Sequence, residues 1–485
     1  MRLLSSVLLL AIANALSAAT FYIDADCANN GDGSTTSCAA SGGAPGAFNA
    51  LPTTITASGA NEYYIKRGTT LDVDGNQATN ITNGGTSEAA RLVIGAYGSG
   101  ADPIVRGNFR AILISDGADF ITIQDLEFSD MALTLNESAA IAMGNDVTDF
   151  TYVTIQRVTV RNITTGAGDG TSQSCLKLQG RGNKVLDSTI SGCSQDGIWF
   201  KGDYTTIDGN TIENVSTETV FGDNIQGSTD ANYFTITDNI LDHTLNPNKQ
   251  CFVLADADLR TDTGGGLFQN NYCVMGAGSV TTYGVYTEQP NSQYIGNEIH
   301  QYTARTDSSG FVITTYASGT TAAGNKVIIH ADGPGGFSVG SNNTKLYNNT
   351  VVKVAETNTA GAGIDGGTGK TGWQATNNIV QGFFAGLEHD TSGYTDTNNL
   401  TYNNTTNCTN DDGTSRSCDA STVTSNPTLD GNYKIGSSSP AWGAGKYVYP
   451  HRGRNGKCGG STVNIGATCA NPVPYGYTLK PKRRR

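Results

Sequence analysis

Apolar residues recur along the chain at long, nearly constant intervals. The segments Asp196-Gly197-Ile198-Trp199-Phe200, Asp223-Asn224-Ile225-Gln226-Gly227 and Gln250-Cys251-Phe252-Val253-Leu254 each begin 27 residues after the one before. Leu176 occupies the same slot upstream of Ile198, and Val285, Phe311, Phe337 and Ile364 continue it at intervals of 33, 26, 26 and 27. A fixed period of this size, with an apolar side chain always in one slot, predicts stacked coils in which each repeat buries its face against the next. Beside that slot runs a column of asparagines at Asn210, Asn239, Asn271, Asn297, Asn325, Asn349 and Asn378. Asparagines stacked at a tight bend hydrogen-bond from rung to rung and satisfy the turn backbone, so this column predicts a structural ladder, with at least two strands in every coil. The fold class expected is all-β, a single-stranded parallel β-helix.

Side chains alternate between the two faces of a strand. With Ile198, Ile225, Phe252 and Val285 inward, Trp199, Gln226, Val253 and Tyr286 face outward, and Lys177 stands one rung earlier. At the strand starts, Asp196, Asp223, Gln250 and Tyr283 form a second column, with Lys249 beside it and Lys201 and Glu288 one outward step beyond the first. The coil of 33 residues carries the loop Asp256-Ala257-Asp258-Leu259-Arg260 next to this surface. A long insertion flanking a polar face is how a solenoid builds a cleft wall. From Asn325 onward the outward residues read as small and polar, and candidate chemistry thins. His243 and His300 have no partner pattern and read as structural.

Composition supports the repeat and narrows the function. The chain has 485 residues with 61 glycines and 12 prolines and no long helical periodicity, which favours a solenoid over a bundle or a doubly wound sheet. A net charge of −13 argues against a nucleic-acid partner. Residues 1–19, with Arg2, an apolar run and small residues at Ser17 to Ala19, read as a secretory signal peptide, and no later apolar run is long enough to span a membrane. Ten cysteines in an exported chain imply disulfides, for which pairing of sequence neighbours is the simplest scheme among several. No CxxC or Cys/His cluster points to zinc. The organisation expected is a β-helix over residues 20–400, a disulfide-containing C-terminal cap over 401–470 and a basic tail over 471–485.

Three stretches carry a resemblance. Phe21-Tyr22-Ile23-Asp24, then Tyr64-Ile65-Lys66-Arg67-Gly68, and then Ile94-Gly95-Ala96-Tyr97-Gly98-Ser99-Gly100 with Asp102-Pro103-Ile104 resemble the opening coils of secreted right-handed parallel β-helix proteins of the pectate-lyase-like superfamily. Tyr433-Lys434-Ile435, Ser438-Ser439-Pro440-Ala441 and Asn464-Ile465-Gly466-Ala467 resemble the far end of the same group. The likeness spans roughly residues 20 to 468 and implies a right-handed helix acting on an extracellular polysaccharide. It does not choose a reaction, because lyases, hydrolases, epimerases and non-catalytic adhesins share the architecture.

Two reactions fit the candidate residues. In β-elimination from a uronic-acid polymer, the reading expected first, Asp196 and Asp223 would hold Ca²⁺, Lys249 would be the base and Tyr283 the acid, with Tyr286 an alternative. Lys177, Trp199, Gln226, Gln250, Tyr286, Glu288 and Arg260 would bind the glycan. In hydrolysis, Asp196 and Asp223 would themselves be the acid and the nucleophile or base. The remaining alternatives are epimerisation and a carbohydrate-binding or adhesive solenoid without catalysis.

Overall fold

The computed structural model describes residues 18–445 except 57–58, 74–78, 134–138, 145–150, 166–172, 218–221, 229–230, 246–249, 256–263, 279–280, 355–359 and 390–392, together with 452–453, 456–457 and 464–466. The chain winds as a right-handed parallel β-helix of three sheets, with 14, 13 and 14 strands among the described residues. One coil shows the order: Thr206–Asp208 in sheet I, Thr211–Glu213 in sheet II and Ile225–Gly227 in sheet III. Every strand in these sheets pairs in parallel with its counterparts one coil away, so position in the repeat fixes position on the surface.

The expected core column is present in register. Ile198 pairs with Ile225, then Phe252, Val285, Phe311, Phe337 and Ile364 follow, and all seven are fully buried. Phe311 and Phe337 stack with ring centroids 4.8 Å apart, one strand spacing. Each such side chain removed from water contributes about 1.5–3 kcal/mol.

The turn from sheet I to sheet II explains the asparagines. The residue before each ladder position takes the left-handed conformation, as at Asp238, Asn270 and Asn348, where short polar side chains tolerate it. The ladder Asn then faces inward. Asn239 Nδ2 donates to Asn271 Oδ1 at 2.9 Å and to the Ile207 carbonyl at 3.0 Å, and its own backbone N–H donates to Asn271 Oδ1 at 3.0 Å. The pattern repeats to Asn378 and extends one coil further, to Asn399. These bonds satisfy the buried backbone groups of the bend, as the residue type predicts.

Four disulfides join sequence neighbours: Cys27 to Cys38, Cys175 to Cys193, Cys251 to Cys273 and Cys408 to Cys418, with Cα separations of 5.2, 5.4, 6.0 and 5.4 Å. Cys458 and Cys469 lie outside the described residues. Beyond residue 400 the chain first completes a rung with Leu400–Tyr402 and Thr406–Thr409. It then folds back along the outer face of sheet II, where Ile435, Ala441 and Ile465 bury Ile379 and Leu400. Further along that face the Lys326 ammonium donates to the Asn432 carbonyl at 2.7 Å, so this segment covers a flank of the helix as well as its end.

Candidate active site

The outward face of sheet III carries the expected column. Lys177, Trp199, Gln226, Val253 and Tyr286 are paired in sequence from rung to rung. The Lys177 ammonium lies 5.1 Å from the centre of the Trp199 ring. Val253 faces the same way but is only 6% exposed, which divides the column into two patches. In the second patch the Tyr286 hydroxyl donates to Glu288 Oε1 at 2.9 Å, and the Tyr283 and Tyr286 rings are 5.6 Å apart. Burial, and for Tyr286 also the Glu288 carboxylate, raises both phenol pKa values and keeps these groups protonated. Tyr283 adjoins Asp307, which accepts from Arg305 Nε at 2.8 Å and from the Thr281 hydroxyl at 2.6 Å. Lys249 and Arg260 fall outside the described residues.

Asp196 and Asp223 are placed differently from the exposed pair expected. They are 2% and 8% exposed. Asp196 Oδ1 accepts the backbone N–H of Asp223 at 2.9 Å and its Oδ2 accepts the Ser174 hydroxyl at 3.2 Å, while Asp223 Oδ1 accepts the backbone N–H of Gln250 at 3.2 Å. The two carboxylates form an acidic counterpart of the asparagine ladder. They satisfy N–H groups where the chain turns into sheet III, a need that strand alternation alone does not reveal. Calcium binding wants six to eight converging oxygens. Among the described residues the three metal-ligating side chains that converge are Asp24, Cys27 and Cys38, whose sulfurs are joined in a disulfide. Asp196 Oδ1 and Asp223 Oδ1 are taken by backbone N–H groups and Asp196 Oδ2 by the Ser174 hydroxyl, which gives these carboxylates a structural role at this corner. Gln250 shares this corner, its carbonyl bonded to His243 Nε2 at 2.9 Å.

Contrary to the expectation that chemistry thins after Asn325, the outward column of sheet III becomes acidic there. From Tyr286 it runs through Val312 and Ser338 to Asp365 and Glu388, which are paired on adjacent strands. Strand spacing puts these two about 4.8 Å apart at the backbone, with both side chains on one face. A third carboxylate, Asp411, is brought in by the hairpin that follows the last strand of sheet III, closed by a bridge between Thr409 and Ser415 and a bond from Asn410 N–H to the Thr414 carbonyl at 2.9 Å. Both Asp411 oxygens are shut off from solvent and accept no hydrogen bond among the described residues. Burial, then the Asp365 and Asp411 carboxylates, push Glu388 up to about 7. Asp365 is raised as well, by burial and then by Asp411, against a hydrogen bond from the Gly367 N–H at 3.0 Å. With Asp365 and Glu388 both raised, Glu388 retains a proton near neutrality, the condition for a general acid beside an ionised partner. The sequence held a signal for the pair. Extending the core column one coil past Ile364 reaches Leu387, and the next residue after each is Asp365 and Glu388.

No known family pattern matches the chain, and no curated protein is similar to it in sequence. Among solved structures it is similar to the pectate lyase Pel9A, at 13% identity over 93% of this chain and 96% of that one, with a TM-score of 0.44. It is also similar to the GH136 lacto-N-biosidase of Eubacterium ramulus, at 12% identity over 79% and 64% of the two chains and a TM-score of 0.37. A third is the mannuronan C-5 epimerase AlgE4 A-module of Azotobacter vinelandii, at 11% identity over 75% and 91% and a TM-score of 0.37. The three all-parallel sheets themselves make this chain a parallel β-helix.

Proposed function

We propose that the protein is an exported enzyme that hydrolyses glycosidic bonds of an extracellular polysaccharide, with Glu388 as proton donor and Asp365 as its ionised partner. The observation that carries this reading is the Asp365 and Glu388 pair, side by side on the outward face of sheet III with Glu388 held up to about 7. Glu388 protonates the departing glycosidic oxygen, and Asp365 attacks the anomeric carbon. Water then releases the sugar, with Glu388 taking the proton from it. Backbones one strand spacing apart, about 4.8 Å, let side chains on one face reach the roughly 5–5.5 Å between carboxyls that retaining glycosidases use. The glycan lies along the column toward Tyr286, where phenol rings offer an apolar face to sugars. A net charge of −13 and three clustered carboxyls favour a neutral polymer over a polyuronate. Disulfides support export into an oxidising compartment.

A second reading, β-elimination, draws on the Lys177 cation and the protonated Tyr283 and Tyr286, which suit a leaving-group acid. Its base and metal ligands have less support, since Lys249 is outside the described residues and Asp196 and Asp223 are engaged with the backbone. Incubation with a panel of neutral glycans and polyuronates separates the two readings. New reducing ends without unsaturated products, lost in Glu388→Gln, are expected. Unsaturated ends from a polyuronate, undiminished in Glu388→Gln, would overturn hydrolysis in favour of elimination.

A further inference from the structure

On the outer face of sheet II, away from the carboxyl cluster, two histidines meet. His300 Nδ1 and His330 Nε2 are 3.0 Å apart, with the rings nearly coplanar and end to end, their centroids 5.3 Å apart and their planes inclined by 17°. Each ring is held from another side. Tyr302 stacks on His330 at 4.0 Å and 4° between planes, and Tyr272 lies 5.4 Å from His300. Glu298 Oε1 sits 3.1 Å from His300 Nε2, the nitrogen that points away from His330.

This arrangement fixes a tautomer. A carboxylate accepts only, so Nε2 of His300 carries the proton and Nδ1 presents a lone pair toward His330. A carboxylate on the far nitrogen is the support that metal-ligating histidines ordinarily have; it orients the ring and raises its basicity as a ligand. We propose that His300 Nδ1 and His330 Nε2 bind a divalent transition-metal cation of the Zn²⁺ or Cu²⁺ class, with water in the remaining positions. Two nitrogens each about 2.0–2.1 Å from a tetrahedral zinc are ~3.3 Å apart, so the observed pair must open by a few tenths of an ångström and both rings must turn by roughly 35° for their lone pairs to converge beside the N···N line. Imidazole nitrogen suits these metals and not calcium.

The surroundings agree with neutral ligands. Burial, then the Lys326 cation, lowers His300, and burial, then His300, lowers His330 to about 4, so both rings are unprotonated at neutral pH. Lys326 opposes a second cation, but its ammonium is drawn to Asn432, lies 3.8 Å from Glu298 and feels Asp430. Lys434 is another cation of this corner, and Tyr433 lies beside Tyr302. Tyr272 and Tyr302 are 36% and 40% exposed, which leaves the pair a route to solvent.

The rival account is a plain N–H···N bond between the rings, and it predicts no metal affinity. Zn²⁺ titrated calorimetrically into the full chain, with Cu²⁺ as a spectroscopic probe, distinguishes them. The expected result is one ion per chain, a raised melting temperature with Zn²⁺, and a Cu²⁺ paramagnetic signal split by two nitrogens. His330→Gln should weaken binding at least about 100-fold, and Glu298→Gln about 10- to 100-fold. Absence of binding to wild type, or binding unchanged in His330→Gln, overturns the site. Should His330→Gln fail to fold, Glu298→Gln and the nitrogen count of the Cu²⁺ signal decide it. Glycan cleavage is not a readout, so the outcome is independent of the hydrolytic reading.

Discussion

Sheet III carries two carboxylate pairs on adjacent coils, and they have opposite fates. Asp196 and Asp223 sit two residues before the core position of their strands, at the bend into the sheet, where they are buried and bonded to backbone N–H groups of the following coil. Asp365 and Glu388 sit one residue after the core position, on the outward face, paired with one another and beside Asp411, with a single N–H, that of Gly367, donating to Asp365. A shift of three positions along the strand turns the same residue type from a backbone acceptor into a proton-holding pair. In a solenoid, the slot within the coil therefore decides whether a carboxylate serves the fold or is open to chemistry.

The contrast can be broken most sharply at Glu388. Glu388→Gln should lower turnover about 10²- to 10⁴-fold, the usual worth of a positioned acid, with melting temperature held or raised. Steady-state kinetics paired with calorimetry on the glycan found by the panel checks this. Next in size, Asp223→Ala leaves the Gln250 N–H without its acceptor and should cost about 1–3 kcal/mol in denaturant unfolding while turnover per folded molecule persists.

The pH dependence sharpens the same contrast. Glu388 acts protonated, so turnover should fall as pH rises through about 7. Asp365→Asn removes a neighbouring carboxylate and should move that limb to lower pH, measurable on residual activity. The sign for stability follows: a carboxyl raised above its unfolded value disfavours the ionised folded state. Stability from Glu388 is therefore lowest above about 7 and recovers as pH falls toward the ordinary carboxyl range. Glu388→Gln should erase that slope in melting temperature against pH. The smallest effect belongs to Tyr286→Phe, which removes one hydrogen bond to Glu288. It should change stability by about 0.5–1.5 kcal/mol and act on KM more than on kcat.

Much of this was legible from periodicity. The stack from Ile198 to Ile364 and the asparagine ladder follow from spacing alone, because each coil repeats one turn and one inward slot. Alternation likewise placed Lys177, Trp199, Gln226 and Tyr286 on one face. It failed at Asp196 and Asp223 because direction along a strand says nothing about which N–H groups a bend leaves unpaired. Asp365 follows Ile364, the last residue of the core column, and Glu388 lies one coil further on, within reach of the same rule. Asp411 was not, since a hairpin after the last strand of sheet III delivers it, and no repeat position marks it. The His300 and His330 contact was hidden by a register offset: Ile328 is the strand partner of His300, and His330 reaches it diagonally.

The central claim, that chemistry resides at the outward carboxyl pair and not at the inward one, is tested most directly by turnover per folded molecule of Glu388→Gln and Asp223→Asn, compared side by side near neutral pH on the cleaved glycan. The account predicts loss of about two orders of magnitude or more in Glu388→Gln and near wild-type turnover in Asp223→Asn. Full activity in Glu388→Gln, with loss in Asp223→Asn at unchanged melting temperature, would contradict it.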